Sequence, residues 1–145
     1  MSALIIDTAV VLKWFHSDGE SEVSESRALL AAHRDEILTA HILDLSLYEL
    51  GNVLLRALRW SARDTADQLD DLLVLCGPPL VPAPSWRRDA AELAANHRLS
   101  FYDATFAATA RAMECPLISA DHKLLSANLA ESPTQYAVRI TATET

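Results

Sequence analysis

Short apolar runs alternate along this chain with longer stretches in which apolar residues recur every three or four positions. The short runs predict buried strands, and the periodic stretches predict helices with one face in the core. The predicted strands are Ala3–Asp7, Ile37–Ala40, Leu80–Ala83, Leu117–Ser119 and Ala137–Thr141. The predicted helices lie near residues 20–34, 43–60, 64–76, 85–97, 102–114 and 122–129.

Strands that alternate with helices are typical of a parallel sheet covered by helices on both faces. We therefore expect a three-layer α/β/α domain with right-handed crossovers and a central, mostly parallel sheet of about five strands. A length of 145 residues fits one domain, so residues 1–145 are expected to form a single unit.

The formal net charge is -8, from 20 acidic and 12 basic residues. This charge argues against a general nucleic-acid binder, which is usually basic. It fits either a cluster of acids that is neutralised by a divalent metal ion or a basic protein partner. The start of the chain has no basic leader and no apolar run approaches the ~18 residues that span a membrane, so we expect a soluble, cytoplasmic protein. Cys76 and Cys115 are expected to be reduced core thiols.

Two acids follow predicted strands. Asp7 comes directly after the first strand, and Asp121, in "LISAD", comes two residues after the fourth. Ligands of parallel α/β sheets bind beyond the carboxyl ends of the strands, so both acids are expected at the same edge of the sheet. The alternative for Asp7 is that it only caps the next helix.

Two further acids lie on predicted helices that are otherwise apolar. Glu49 lies in "LDLSLYELGNVLLRALRW", whose leucines follow helical spacing, and Asp103 begins a helix rich in alanine, "SFYDATFAATARAM". Each also has a simpler interpretation, since Glu49 fits a solvated helix face and Asp103 fits a first-turn role with Ser100. If all four acids converge, burying their charges requires a positive ligand, for which Mg²⁺ or Mn²⁺ is the natural candidate.

The sequence resembles the PIN domain, and more narrowly the VapC toxins of bacterial type II toxin–antitoxin pairs. The segments "IIDTAVVLKWF", "YELGNVLLRA", "SFYDATFAATA" and "LISAD" carry this resemblance and occur in the family's order from Leu4 to about Ile140. The resemblance implies a metal-dependent endoribonuclease that uses Mg²⁺ or Mn²⁺ at four acids, here Asp7, Glu49, Asp103 and Asp121. It also implies supporting polar side chains, here Thr8, Asn52 and Ser119.

The resemblance further implies an RNA substrate such as tRNA or ribosomal RNA, a cognate VapB-like antitoxin that inserts a basic segment into the acidic pocket, and a homodimer. Some PIN domains carry another acid just after the fourth one, where this chain has His122 and Lys123. A second metal ion held entirely by the protein is therefore not expected. Asp7 and Asp103 are expected to hold the metal ion, and Glu49 and Asp121 to position its waters.

RNA needs basic contacts beside such an acidic site. The best placed by sequence are Lys13, Arg56, Arg59 and Lys123, and Trp14 or Trp60 could stack on a splayed base. The alternatives are that Arg56 pairs with Glu49 and that Trp14 packs beneath the first helix.

Three other functions share some of these features. A phosphatase of the haloacid dehalogenase type needs a second Asp two residues after the first, where this chain has Ala9, and the residues typical of a receiver domain are missing too. A catalytically inactive PIN-fold protein that binds or scaffolds within an antitoxin complex remains as the main alternative to an enzyme.

Overall fold

The computed structural model describes residues 2–144, which form eleven regular elements and one π-helical turn. The strands are β1 (Ser2–Ile6), β2 (Leu38–His41) and β3 (Leu117–Ile118). The helices are α1 (Thr8–Leu12), α2 (Val23–Arg34), α3 (Asp44–Asn52), α4 (Ala62–Cys76), α5 (Pro84–His97), α6 (Phe101–Ala112), α7 (His122–Ser126) and α8 (Pro133–Glu144). The π-helical turn, Val53–Ala57, continues α3.

The sheet is parallel and has β1 at its centre, in the order β2-β1-β3. Leu4 pairs with Ala40 of β2, and Ile6 pairs with Ile118 of β3. Beyond the strands, single bridges join Leu43 to Leu80 and Ile118 to Glu131. The expected α/β class with a parallel central sheet is confirmed.

Helices cover both faces of this sheet. Leu4 and Ile6 of β1 point into one apolar cluster, to which α1, α2, α3, α4 and α8 contribute. Ile5, between them, points to the opposite side, into a second cluster built largely by α5, α6 and α7. Because neighbouring residues of a strand face opposite sides, the fully apolar run of β1 separates two cores.

The expected number of strands is wrong, since residues 2–144 form a sheet of three. Of the predicted strand Leu80–Ala83, only Leu80 makes a bridge. Pro82 has no N–H to donate to a sheet, and Ala83 is already the N-cap residue of α5, with Pro84 in its first turn.

The predicted strand Ala137–Thr141 is also wrong, because these residues belong to α8. The start of this helix is fixed by a reciprocal pair of hydrogen bonds. The Ser132 N–H donates to Gln135 Oε1 (2.8 Å), and the Gln135 N–H donates to Ser132 Oγ (3.0 Å). This capping box is visible in the sequence as "SPTQ", with a proline at the favoured first position. The apolar pattern that follows it is compatible with a strand as well as with a helix, and the capping box decides for the helix.

Within residues 2–144, no helix has both the length and the apolar character needed to cross a lipid bilayer.

His33 closes the outer edge of β2. Its Nδ1 accepts the N–H of Ala40 (3.0 Å), and its Nε2 lies 2.7 Å from the carbonyl oxygen of Leu75 in α4. Since a backbone N–H only donates and a carbonyl only accepts, the ring is neutral with its proton on Nε2. One side chain of α2 therefore ties the edge strand to α4.

We expect His33→Leu to lower the free energy of unfolding by about 1–3 kcal/mol, because it leaves the N–H of the buried Ala40 without an acceptor. Urea unfolding followed by circular dichroism measures this loss. His97→Leu, at the exposed end of α5, is the matched control and should change stability by less than about 0.5 kcal/mol. Equal stability of the two variants would contradict the role assigned to His33.

Candidate active site

Four carboxylates line one cavity at the carboxyl edge of the sheet. Asp7 follows β1, Asp121 follows β3, Glu49 comes from α3 and Asp103 from the first turn of α6. The cavity has a volume of about 260 Å³. Its lining consists of Asp7, Thr8, Ala9, Leu12, Glu49, Leu50, Val53, Asp103, Phe106 and Asp121. The structure thus brings together the four acids that the sequence singled out.

Asp7 is the most deeply buried of the four, with 6% of its surface exposed. Its Oδ1 accepts the N–H of Val10 (3.1 Å), so it caps α1, as one interpretation of the sequence predicted. Its Oδ2 accepts the hydroxyl of Ser119, and that hydroxyl oxygen in turn accepts the N–H of Asp121 (2.9 Å). One carboxylate therefore both caps a helix and reaches the cavity.

Burial raises the pKa of Asp7 from 3.8 to about 6. The hydrogen bonds from Ser119 and Val10 act in the opposite direction, while the nearby charges of Asp103 and Asp121 raise the pKa further. Dehydration of the charged carboxylate is the largest of these effects. In the absence of a positive ligand, the charged form of Asp7 is therefore unfavourable.

Glu49 lies half-buried in α3 and accepts a hydrogen bond of 2.6 Å from the hydroxyl of Thr8. Burial raises its pKa, the Thr8 hydrogen bond lowers it, and the charge of Asp103 raises it. Leu50 and Leu54, which follow Glu49 on the core side of the same helix, are fully buried. Their packing fixes the helix that carries Glu49, so this carboxylate is held at the cavity wall.

Asp103 lies half-buried in the first turn of α6, which Ser100 caps by accepting the Asp103 N–H (3.0 Å). Burial raises the pKa of Asp103, and the nearby Asp121 carboxyl raises it further, whereas the charge of Lys123 lowers it. All residues from Ala104 to Ala110 are buried. Asp121 caps α7 by accepting the N–H groups of Lys123 (2.8 Å) and Leu124 (3.1 Å).

The three predicted supporting residues differ in their placement. Thr8 and Ser119 each donate a hydrogen bond to one of the acids. Asn52 is exposed and is not among the residues that line the cavity.

The four basic residues predicted to contact RNA differ in their exposure to solvent. Arg56, Arg59 and Lys123 are exposed. Lys13 is buried, with 4% of its surface exposed, and its ammonium pairs with Glu20 at 3.1 Å. Lys13 is therefore part of the folded core and does not present a free charge. In residues 2–144, no ion pair joins Arg56 to Glu49, the alternative considered for that arginine.

The two tryptophans considered for base stacking are both engaged within the protein. Trp14 is buried and donates its indole N–H to the Ser26 carbonyl (2.9 Å), so its packing interpretation is correct. Trp60 packs against Phe15, with ring centroids 6.0 Å apart and planes tilted by 59°.

Ser46 is the residue of this site that the sequence reasoning missed. It is fully buried in the first turn of α3, and its Oγ lies 3.1 Å from the hydroxyl of Thr8. Its position three residues before Glu49, one helical turn away, was the only available signal.

The donor atoms around the cavity are all carboxylate or hydroxyl oxygens, which are the ligands that Mg²⁺ and Mn²⁺ prefer. Within residues 2–144, however, no three His, Cys, Asp or Glu side chains already form a cluster close enough to hold a metal ion. The residues present fit a hard divalent cation by their chemistry. To bind such an ion, the carboxylates would have to move closer together, or water would have to complete the coordination.

The family model of the PIN domain matches residues 4–128, so this chain belongs to the PIN domain family. The match spans all four acids of the cavity. Comparison with the curated proteins gives no match.

Solved structures share the fold at low sequence identity. PAE2754 from Pyrobaculum aerophilum is 22% identical, with a TM-score of 0.66 over 97% of this chain and 98% of that one. A toxin–antitoxin complex from Klebsiella pneumoniae is 15% identical, with a TM-score of 0.63 over 90% and 97% of the two chains. VapBC2 from Rickettsia felis, bound to a DNA fragment from their promoter, is 16% identical, with a TM-score of 0.63 over 86% and 91%.

Asp7→Asn is expected to stabilise the metal-free protein at neutral pH. Below pH 3.8 the carboxyl is protonated in the folded and unfolded states alike, so the shifted pKa has no effect. Between pH 3.8 and about 6 the unfolded state loses its proton first, and folding stability falls as the pH rises. Above this range the charged carboxylate lowers the free energy of unfolding by about 3 kcal/mol, since each pKa unit corresponds to ~1.4 kcal/mol. The uncharged amide of Asn does not have this cost.

Thermal unfolding in chelator at pH 4 and pH 7.5 measures this effect. Asp7→Asn should melt above the unmodified protein at pH 7.5, and the difference should shrink toward pH 4. Asp89→Asn, which changes an exposed acid of α5, is the control and should show no such trend. If Asp7→Asn is no more stable than the unmodified protein at pH 7.5, the buried charge is not unfavourable.

Proposed function

We propose that this protein is a VapC-like toxin, a metal-dependent endoribonuclease that hydrolyses phosphodiester bonds of tRNA or ribosomal RNA in the cytoplasm. The observation that carries the proposal is the convergence of four carboxylates on one cavity, with Asp7 almost fully buried among them. Acids in such surroundings need a positive ligand, because their burial and mutual repulsion oppose the charged forms. Membership of the PIN domain family supports a nuclease.

We assign the cation to Asp7 and Asp103, with Glu49 and Asp121 beside them. Mg²⁺ or Mn²⁺ bound there would neutralise the acids, polarise the scissile phosphate and make a bound water more acidic. Uncharged hydrogen-bond donors orient two of the acids. The Ser119 hydroxyl and the Val10 N–H donate to Asp7, and the Thr8 hydroxyl donates to Glu49. The apolar side chains of Leu12, Val53 and Phe106 also line the cavity, and charges interact more strongly beside apolar groups than in water.

A water molecule that attacks a phosphate must lose a proton. Glu49 and Asp121 are the two acids that we assign to this step or to orienting the water. Glu49 suits proton transfer, because burial raises its pKa above that of an ordinary glutamate while Thr8 holds its orientation. Exchange of either acid for its amide keeps the shape and removes the charge.

RNA contact is assigned to Arg56, Arg59 and Lys123, the exposed members of the predicted basic set. Lys123 follows Asp121 by two residues, and its charge acts on Asp103. It is therefore well placed to meet a phosphate that enters the cavity. Lys13 is left out of this assignment because it is buried against Glu20.

We further propose a VapB-like antitoxin as the partner and a homodimer as the assembly. One structure with this fold is described as a toxin–antitoxin complex, and another as VapBC2 bound to a DNA fragment from their promoter. A cavity lined by four acids, in a chain of net charge -8, favours a basic inhibitory segment. The homodimer is supported by exposed apolar side chains on α3, the π-helical turn and α4, namely Tyr48, Leu55 and Val74.

The alternative is a catalytically inactive PIN-fold protein that acts by binding within an antitoxin complex. The finding that favours it is that no metal-holding cluster is already assembled within residues 2–144. It predicts a protein that binds its antitoxin and leaves RNA intact in the presence of metal ions.

The proposal predicts discrete cuts when purified, antitoxin-free protein is incubated with total tRNA and ribosomal RNA in Mg²⁺ or Mn²⁺. Chelator and Asp7→Asn should each abolish the cuts, because removal of a direct ligand costs several kcal/mol of transition-state stabilisation, on the order of a 100-fold loss of rate or more. Asp89→Asn, at an exposed site on α5, should cut normally. Sequencing of the new ends maps the sites.

Two other results are informative. Intact RNA with protein that is folded and binds Mn²⁺ would favour the binding-protein alternative. Cutting that persists in chelator and in Asp7→Asn would point to a contaminating nuclease or to a different mechanism.

Lys123→Gln is expected to weaken RNA binding about equally for different sequences, because a single phosphate contact is lost. The slope of log K against log salt concentration should become shallower by about one. Binding is measured in the Asp7→Asn background across a range of salt concentrations, so that cleavage does not interfere. Arg34→Gln is the matched control, since this exposed cation lies beside the amino end of β2. If both changes have the same effect, Lys123 does not contact RNA.

A further inference from the structure

We propose that Ser46 is a positioning residue that orients Glu49 through the hydroxyl of Thr8. This inference rests on the proposed function, because Glu49 needs a fixed orientation only if the cavity binds a cation and RNA. Ser46 does not line the cavity, so it would contact neither the cation nor the RNA. It acts through a short relay of hydroxyl groups that connects α3 to the start of α1.

The direction of the relay follows from counting protons. Thr8 Oγ1 lies 3.1 Å from Ser46 Oγ and 2.6 Å from Glu49 Oε1. A threonine hydroxyl has one proton, and an ionised carboxylate can only accept. Thr8 therefore donates to charged Glu49, which leaves Ser46 to donate to the oxygen of Thr8. The relay runs from Ser46 to Thr8 to Glu49.

Thr8 needs this support because of its position. It is the first residue of α1 and follows β1, so no preceding helical turn offers a carbonyl that could accept its hydroxyl and fix its rotamer. The proton that Ser46 donates selects the rotamer in which Thr8 faces α3. The 2.6 Å contact with Glu49 depends on that choice.

The chain contains an internal comparison for Ser46. Ser26 is also fully buried near the start of a helix, α2, but its hydroxyl has no hydrogen-bond partner. Burial of a serine in this fold therefore does not by itself create a relay. The partnership of Ser46 is specific to its place beside Thr8.

The test uses Ser46→Ala, Thr8→Val and the double variant, with Thr8→Ser as the conservative change that keeps the hydroxyl. We expect Ser46→Ala to lower kcat for RNA cleavage and the calorimetric affinity for Mn²⁺ by roughly tenfold or more, as for other groups that orient metal ligands. KM should stay the same, since contacts with the rest of the RNA are unchanged. Thr8→Val should cause at least the same loss, and Thr8→Ser should restore most of it.

The double variant decides whether Ser46 acts through Thr8. Once Thr8 has lost its hydroxyl, Ser46→Ala should have no further effect on kcat or on the affinity for Mn²⁺. Ser26→Ala is the matched control and should leave both quantities unchanged. If Ser46→Ala behaves like Ser26→Ala, or if its loss multiplies with that of Thr8→Val, the relay is wrong.

The two readouts separate this inference from the proposed function. Mn²⁺ binding that depends on Ser46 in a protein that does not cut RNA would contradict the nuclease and support the relay. If Ser46→Ala changes neither RNA cleavage nor Mn²⁺ binding, the relay alone is contradicted. Failure of the unmodified protein to bind Mn²⁺ would contradict both.

Discussion

The burial of Asp7 is the constraint on which the rest of this site depends. The residue ends the central strand of the sheet, so apolar cores on both faces remove it from water. Two hydrogen bonds compensate only part of the cost, and its pKa remains near 6. The free protein therefore holds an acid whose charged form is disfavoured by its surroundings. A bound cation would relieve this cost, so cation binding would also stabilise the folded protein.

Packing remote from the cavity determines where the other acids lie. The buried residues Ala104 to Ala110 fix α6 in the core, and Asp103 in the first turn of this helix lies near Asp121. The buried Leu50 of α3 and Leu54 of the π-helical turn fix the position of Glu49 in the same way. Parallel strands present their carboxyl ends at one edge, so Asp7 and Asp121 meet there without a special arrangement. The cavity is thus a consequence of how two cores pack on one sheet.

Sequence patterns could predict what depends on local periodicity and on the general geometry of parallel sheets. They located β1, β3 and the acids that follow them. They wrongly predicted a strand within α8, because the apolar pattern there fits a strand or a helix. The capping box of Ser132 and Gln135 was the signal for a helix. They also failed at Lys13, because its burial depends on Glu20 reaching it from a loop. Ser46 meets Thr8 across 38 positions of the chain, and such a contact exists only after α1 packs on α3.

The groups that orient Asp7 and Glu49 are uncharged, and this suits acids that bind a cation. Asp7 and Glu49 are held by hydroxyls and a backbone N–H, and none of the four acids forms an ion pair within residues 2–144. An arginine or lysine could orient a carboxylate equally well, but its charge would neutralise the acid and repel an incoming cation. Neutral donors fix the geometry and leave the negative charge in place. Their use at this cavity, while Lys13 pairs with Glu20 elsewhere, favours acids that are kept for a cation over acids that only stabilise the fold.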